Sequence, residues 1–275
     1  MLTVKRLVSC KFISSVTLFL LSAVKSIIMA YVNYKWPRDN YLQPDPWYNR
    51  WNGVCQGFQR TGWSTTMEVE MSQRRPARVV IAGHSFVCHL MRDVERRLGI
   101  YHNMNLEYHV AEIHVVGVSG MHISEARFDY LHQILEHNPD IVYLEIGSCD
   151  AKLNGFTAKD IVKQMVDLGN ELTRLGIKRV IFGEVAHRVG KGVPKKCPDY
   201  NYKVNDVNRL LSRSFDEHTQ SKCFLWRHKA IWRATKEIYL DGIHFNRLGN
   251  LRLYRSIRLA IIKSIWQIMN QLHYE

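Results

Sequence analysis

Ser85 has the type and the setting of a catalytic nucleophile. It follows the apolar run 79–82 and Gly83, and it precedes a stretch in which apolar residues recur at every fourth position. This pattern predicts a buried strand that turns into a helix at Ser85. The first N–H groups of a helix are unpaired and can stabilise an oxyanion, so a serine placed there could attack a carbonyl carbon. Serine is also a favoured N-cap, which is the structural alternative for Ser85.

Asp241 and His244 form the second candidate pair, three residues apart in a predicted loop before the last helix. An aspartate that accepts the Nδ1 proton of a histidine fixes its tautomer and leaves Nε2 available for a hydroxyl proton. The alternative is that Asp241 caps the loop and His244 is a solvated ring.

The elements that would position these residues alternate between strand and helix. Predicted strands lie at 79–82, 108–117, 139–147, 179–183 and 223–226, and predicted helices at 86–98, 126–136, 158–175, 204–215 and 248–272. Such alternation indicates βαβ units and a parallel sheet covered on both faces. We therefore predict an α/β fold, a three-layer α/β/α sandwich with a five-stranded parallel sheet of the flavodoxin-like kind.

Four short segments follow predicted strands or precede the last helix, in chain order. They are Gly83-His84-Ser85-Phe86, Gly117-Val118-Ser119-Gly120, Gly147-Ser148-Cys149-Asp150 and Asp241-Gly242-Ile243-His244. Together they resemble the sequence blocks of the SGNH, or GDSL-like, hydrolase superfamily over about residues 77–270. The resemblance implies a catalytic triad of Ser85, His244 and Asp241. It also implies an oxyanion hole made by the N–H groups of Ser85 and Gly120 and by the side chain of Cys149.

Two residues depart from the pattern of that superfamily. His84 stands where the superfamily has aspartate, which could alter the charge of the pocket. Cys149 stands where it has asparagine, and a thiol is a much weaker hydrogen-bond donor than an amide. Loss of one oxyanion donor typically costs about 100- to 1000-fold in turnover. The predicted oxyanion hole is therefore degenerate.

Two functions are consistent with these residues. The first is a serine esterase that hydrolyses an O-acetyl glycan, a short-chain ester or a lipid ester through an acyl-enzyme, a reaction that requires no metal and no cofactor. The second is a catalytically impaired SGNH-like module that binds glycan, lipid or nucleic acid. Similar esterase-like domains accompany some non-LTR retrotransposon proteins, so a retroelement origin is part of the second hypothesis.

The charge of the chain favours anionic neighbours. Thirty-eight Lys and Arg against 25 Asp and Glu give a net charge of +13. The stretch between Gly242 and Tyr274, which contains the predicted last helix, carries no acid and several bases: Arg247, Arg252, Arg255, Arg258 and Lys263. Nucleic acid or a membrane surface is the partner that such a helix would attract. A solvated basic face is the alternative, and we expect the protein to be a monomer.

Composition divides the chain into three parts. Residues 1–30 combine a basic start with an apolar stretch, which fits a signal peptide, a membrane anchor or a leader before a natural start at Met29. Residues 31–76 form a Pro- and Trp-rich arm that packs on the domain or stacks on bases or sugars, and residues 77–275 form the hydrolase-type domain. Six cysteines without a CxxC pair and the lack of an Asn-x-Ser/Thr sequon favour an intracellular location, against the N-terminal pattern.

Overall fold

The computed structural model describes residues 75–93, 103–216, 222–229, 231 and 236–271. The predictions for residues 1–30 and for nearly all of the arm 31–76 lie outside this part of the chain. The predicted continuation of the first helix through Val94 and Leu98 also lies outside it. Among the helices that the structure does describe, none is both long enough and apolar enough to span a bilayer.

One parallel sheet forms the centre of the domain. Its strands are β1 (Ala77–Gly83), β2 (Ala111–Gly117), β3 (Ile141–Glu145), β4 (Arg179–Gly183) and β5 (Cys223–Trp226). They pair in parallel in the order β2-β1-β3-β4-β5. The chain changes winding direction between β1 and β3, and ligands of open α/β sheets bind beyond the carboxyl ends of the strands at such a point. The segments that begin at His84 and Ile146 emerge there.

Helices cover both faces of the sheet. They are α1 (Ser85–Asp93), α2 (Ile123–Phe128), α3 (Leu131–Leu135), α4 (Ser148–Ala151), α5 (Ala158–Arg174), α6 (Tyr200–Asp216) and α7 (Arg247–Gln271), with 3₁₀ turns at Gly190–Gly192 and Lys236–Ile238. Alternate residues of each central strand point to opposite faces. Val80 and Val142 pack against α5 and α6, whereas Ile81 and Ile141 pack against α1 and α7. The predicted three-layer α/β/α sandwich is confirmed.

Several predicted elements differ from the structure in their bounds, since β3 is shorter than predicted and α6 begins earlier, at Tyr200. Two further differences have a visible cause. β2 begins at Ala111 rather than Tyr108, because the chain turns at residues 108–110 and the Ala111 N–H bonds to the Glu107 carbonyl 3.1 Å away. The single helix predicted over 126–136 is two helices, α2 and α3. The N–H groups of both Asp129 and Tyr130 bond to the Glu125 carbonyl at 2.8 and 3.0 Å, which ends α2. Phe128, expected on the apolar face, is therefore 74% exposed.

Candidate active site

Ser85 is the first residue of α1, directly beyond the carboxyl end of β1. A Cβ atom at Gly83 would collide with the Glu145 carbonyl, so glycine permits the close approach of β1 to β3. The carbonyl of His84 accepts hydrogen bonds from the N–H groups of Val87 and Cys88 at 2.9 and 3.5 Å. Among the described residues, the Ser85 N–H donates to no other group, which leaves it available to an incoming ligand.

The side chains of Ser85, His244 and Asp241 form one hydrogen-bonded chain. Ser85 Oγ lies 3.0 Å from His244 Nε2, and His244 Nδ1 lies 2.8 Å from Asp241 Oδ2. Burial raises the pKa of Asp241, but hydrogen bonds from the ring and N–H of His244 and from the Ile243 N–H outweigh it and lower the pKa to about 2. The ionised carboxylate accepts the Nδ1 proton, so His244 Nε2 accepts the Ser85 hydroxyl proton.

Asp241 makes a different set of hydrogen bonds with each of its two carboxylate oxygens. Its Oδ1 atom accepts the N–H groups of Ile243 and His244 at 2.8 and 2.7 Å, which closes the loop. Its Oδ2 atom holds the His244 ring. Capping of the loop by Asp241 is therefore compatible with a role in orienting the His244 ring.

The loop after β4 supports the loop that carries Asp241 and His244. The Val189 N–H donates to the Gly242 carbonyl at 2.9 Å, and Gly242 has a φ of +86°. A Cβ atom on Gly192 would collide with the Gly242 backbone, so glycine at 192 lets the two loops touch. Tyr239, just before the acid–base loop, donates its hydroxyl to the His187 carbonyl at 2.7 Å. The glycines in this region were the only sequence signal for this contact.

Two rings of α1 contact the His244 imidazole. His89 stacks on it with a centroid separation of 4.5 Å and an interplanar angle of 27°. Phe86 approaches it edge-on at 6.2 Å. Phe86 was named in the first of the four sequence segments without a role of its own, and His89 was missed because nothing in the sequence shows which helix face meets a loop about 150 residues away.

Gly120 has a backbone arrangement that fits an oxyanion donor. The segment before it is joined to the end of β1, since the Val118 N–H donates to the Gly83 carbonyl at 3.0 Å. Gly120 has a φ of +82°, and a Cβ atom built on it would meet nothing within 4 Å. Its N–H, like that of Ser85, donates to no group in the described part of the chain. The assignment of Ser85, Gly120 and Cys149 to an oxyanion hole stays a prediction.

Cys149 is buried in α4, in the segment that follows β3. Burial raises the pKa of its thiol, against the positive charge of Lys152, so it is a neutral thiol near neutral pH. The neighbouring Asp150 fastens this segment to α2, because its Oδ1 atom accepts the Ile123 N–H at 3.3 Å and lies 3.2 Å from His122 Nδ1. The Cys149 thiol, a weak hydrogen-bond donor, therefore lies in a segment that the bonds of Asp150 hold in place.

His84 is a neutral, buried ring. Burial lowers its pKa to about 4, with Glu145 opposing and Arg188 adding to the effect. Its Nδ1 accepts the Phe86 N–H at 3.4 Å, so Nε2 carries the proton and donates to Ser148 Oγ at 2.9 Å. His84 thus joins the segment after β1 to the segment after β3. It adds no charge to the site near neutral pH, unlike the aspartate expected at this position.

The arrangement can pass one proton from Ser85 to His244, whose ring Asp241 holds. In the part of the chain that the structure covers, no cluster of three His, Cys, Asp or Glu side chains could hold a metal ion.

Comparison with solved structures identifies the fold. A GDSL-like lipase from Bacteroides thetaiotaomicron matches with a TM-score of 0.55 and 15% identity over 73% of this chain and 97% of that one. A putative acylhydrolase from Bacteroides fragilis matches with a TM-score of 0.56 and 15% identity over 71% and 94%. An acetyl esterase matches with a TM-score of 0.51 and 14% identity over 70% and 99%. No protein-family model and no curated protein matches the chain.

Proposed function

We propose that this protein is a serine esterase that hydrolyses carboxylic esters through a triad of Ser85, His244 and Asp241. The chain has an SGNH hydrolase-like fold, which is the fold of many ester hydrolases. Fold alone does not assign chemistry, so the site must carry the proposal. The observation that carries it is the continuous hydrogen-bonded chain from Ser85 Oγ through the His244 ring to Asp241.

The first half of the reaction makes an acyl-enzyme. His244 Nε2 takes the Ser85 hydroxyl proton while Oγ attacks the ester carbonyl carbon, which forms a tetrahedral oxyanion. Asp241 stabilises the imidazolium that results. The N–H groups of Ser85 and Gly120 hold the oxyanion. The intermediate then collapses, and His244 gives its proton to the departing alcohol.

Water completes the turnover. It gives a proton to His244 Nε2, and its oxygen attacks the acyl carbon to form a second tetrahedral intermediate. Collapse of this intermediate breaks the bond to Ser85 Oγ, and His244 returns the proton to the serine. The products are a carboxylic acid and an alcohol.

The substrate we propose is a carboxylic ester, either an O-acetyl glycan, a short-chain ester or a lipid ester. The similar structures are named a lipase, an acylhydrolase and an acetyl esterase. All three names denote enzymes that remove acyl groups from esters, which supports this substrate class.

The binding-module hypothesis is less favoured by the structure. Two of the bases that motivated it are engaged with the fold itself. Arg258 donates its Nε–H to the Met104 carbonyl at 3.0 Å. Lys263 Nζ lies 5.7 Å from the centroid of the Phe224 ring. An anionic partner for α7 would have to compete with these contacts.

Hydrolysis of a nitrophenyl acetate by the full chain tests the proposal. We expect turnover and fluorophosphonate labelling in the wild type, and loss of both in Ser85→Ala. Ser212→Ala is the matched control, because Ser212 lies on α6 and bonds to Asp216 rather than to the site. Absence of both signals in a folded wild-type protein would reject the esterase.

A further inference from the structure

Arg188 is a buried cation that forms no ion pair with any residue that the structure describes. The residue is only 9% exposed, and no described carboxylate lies within ion-pair distance of it. Glu145, a buried acid at the end of β3, is engaged elsewhere: its Oε2 accepts the Tyr143 hydroxyl at 2.8 Å and lies 3.4 Å from His228 Nε2. Removing a guanidinium from water is costly, and this cost is normally offset by a paired anion.

The backbone and side chain of Arg188 are held in place. Its N–H donates to Asn201 Oδ1, and its carbonyl accepts Asn201 Nδ2, both at 2.9 Å. The guanidinium lies over the Tyr200 ring, 4.6 Å from the centroid. A cation–π contact of this kind stabilises a guanidinium that burial has removed from water.

The guanidinium lies beside the predicted oxyanion segment. Arg188 Nη2 is 3.5 Å from the carbonyl oxygen of Ser148, the residue before Cys149. The Ser148 hydroxyl is bonded to His84, the residue before Ser85. Burial raises the pKa of the Cys149 thiol. The positive charges of Lys152 and Arg188 act against this rise. The field of this cation therefore acts at the position where the amide donor is missing.

We propose that Arg188 stabilises the oxyanion of the reaction electrostatically and so replaces the contribution that the Cys149 side chain does not make. This role rests on the proposed esterase function. A fixed charge in a region of low dielectric acts over several ångströms, so it stabilises a developing negative charge without a direct hydrogen bond. The ground-state ester is neutral at this oxygen, so the effect falls on the transition state.

Arg188→Met tests the role in the full chain with a neutral nitrophenyl ester. We expect kcat to fall about 10- to 100-fold while KM stays within about twofold, because only the transition state carries the charge. Arg188→Lys keeps a charge and should retain several times more activity than the methionine variant. Arg209→Met is the matched control, because Arg209 is a half-exposed residue of α6 paired with Asp206.

A second substitution separates this role from a structural one. Cys149→Asn in the Arg188→Met background restores an amide donor, and we expect it to recover about tenfold or more of the lost kcat. Thermal melts accompany each variant. Equal losses in Arg188→Lys and Arg188→Met, with lowered melting temperatures and no recovery by Cys149→Asn, would overturn the proposal in favour of a structural cation.

Three further results overturn it in different ways. If Arg188→Met leaves kcat unchanged but raises KM for an ester that carries a carboxylate, Arg188 binds an anionic substrate group instead. If wild-type turnover depends on Ser85 and Arg188→Met has full activity on both esters, only the role of Arg188 fails. Absence of turnover in the wild type rejects the esterase itself, and the role of Arg188 with it.

Discussion

The rings of His89 and His244 stack with their centroids 4.5 Å apart, although one belongs to α1 and the other to the loop before α7. His89 lies one helical turn after Ser85, so the same helix carries the predicted nucleophile and the ring that stacks on His244. Burial lowers the pKa of His89, and the neighbouring His244 lowers it further, which favours a neutral His89 ring. A neutral ring in this place restricts the rotation of His244 away from Ser85.

Replacement of His89 should separate ring packing from ring chemistry. We expect His89→Ala to lower kcat about tenfold, because His244 gains rotational freedom and its Nε2 lies less often on the Ser85 hydroxyl. His89→Phe retains a flat ring and should keep most of the activity. Steady-state kinetics on one nitrophenyl ester compares the two. If phenylalanine is as harmful as alanine, His89 acts through its nitrogens and not through packing.

Asp241→Asn should disable the base while preserving the loop. The asparagine oxygen can still accept the N–H groups of Ile243 and His244, so the melting temperature should change little. The negative charge that holds the Nδ1 proton is lost, and we expect kcat to fall about 1000- to 10,000-fold. Asp206→Asn, at an exposed position of α6, is the control. A variant that keeps more than about a tenth of the activity would refute the orienting role of Asp241.

Cys149→Asn in the otherwise unchanged chain should raise kcat. An amide is a stronger donor than the neutral thiol, and an added oxyanion donor contributes up to about 100-fold. Because Arg188 already acts on the same charge, we expect the gain to be smaller than in the Arg188→Met background. Kinetics of the single and double variants form a thermodynamic cycle. An unchanged or reduced rate in a folded Cys149→Asn protein would contradict the assignment of position 149 to the oxyanion hole.

The buried His84 ring makes the protein less stable in acid. Its pKa is about 4 when folded, against 6.5 for an ordinary histidine, so the unfolded chain binds more protons between these two values. The free energy of unfolding should therefore rise with pH across this window by about 3 kcal/mol from this group. His84→Gln should show a shallower rise in urea titrations at about pH 4.5 and about pH 7. Identical pH dependence in the two proteins would show that the ring does not titrate in this way.

The sequence predicted the sheet well because buried parallel strands and their terminal glycines leave strong local patterns. β4 and β5 have the predicted bounds, and the structure joins Ser85, His244 and Asp241, which were identified from their local settings. Contacts between distant loops left no such pattern. The positions of Arg188 beside Ser148 and of Gly192 against Gly242 depend on how the loop after β4 folds over the sheet. The early end of helix α2 has a local cause instead, because the Glu125 carbonyl accepts two N–H groups, and the spacing of apolar residues does not reveal such a bond.

Ser85 and His244 are 159 positions apart, so their hydrogen bond depends on the folding of most of the domain. The bond can form only after the first strand and the segment before the last helix have both docked on the sheet. Contacts of such long sequence separation carry a high cost of loop closure and make folding slow. During refolding, helical circular dichroism should therefore return before ester turnover does. The return of ester turnover would then mark the time at which the segment before α7 docks on the sheet beside Ser85.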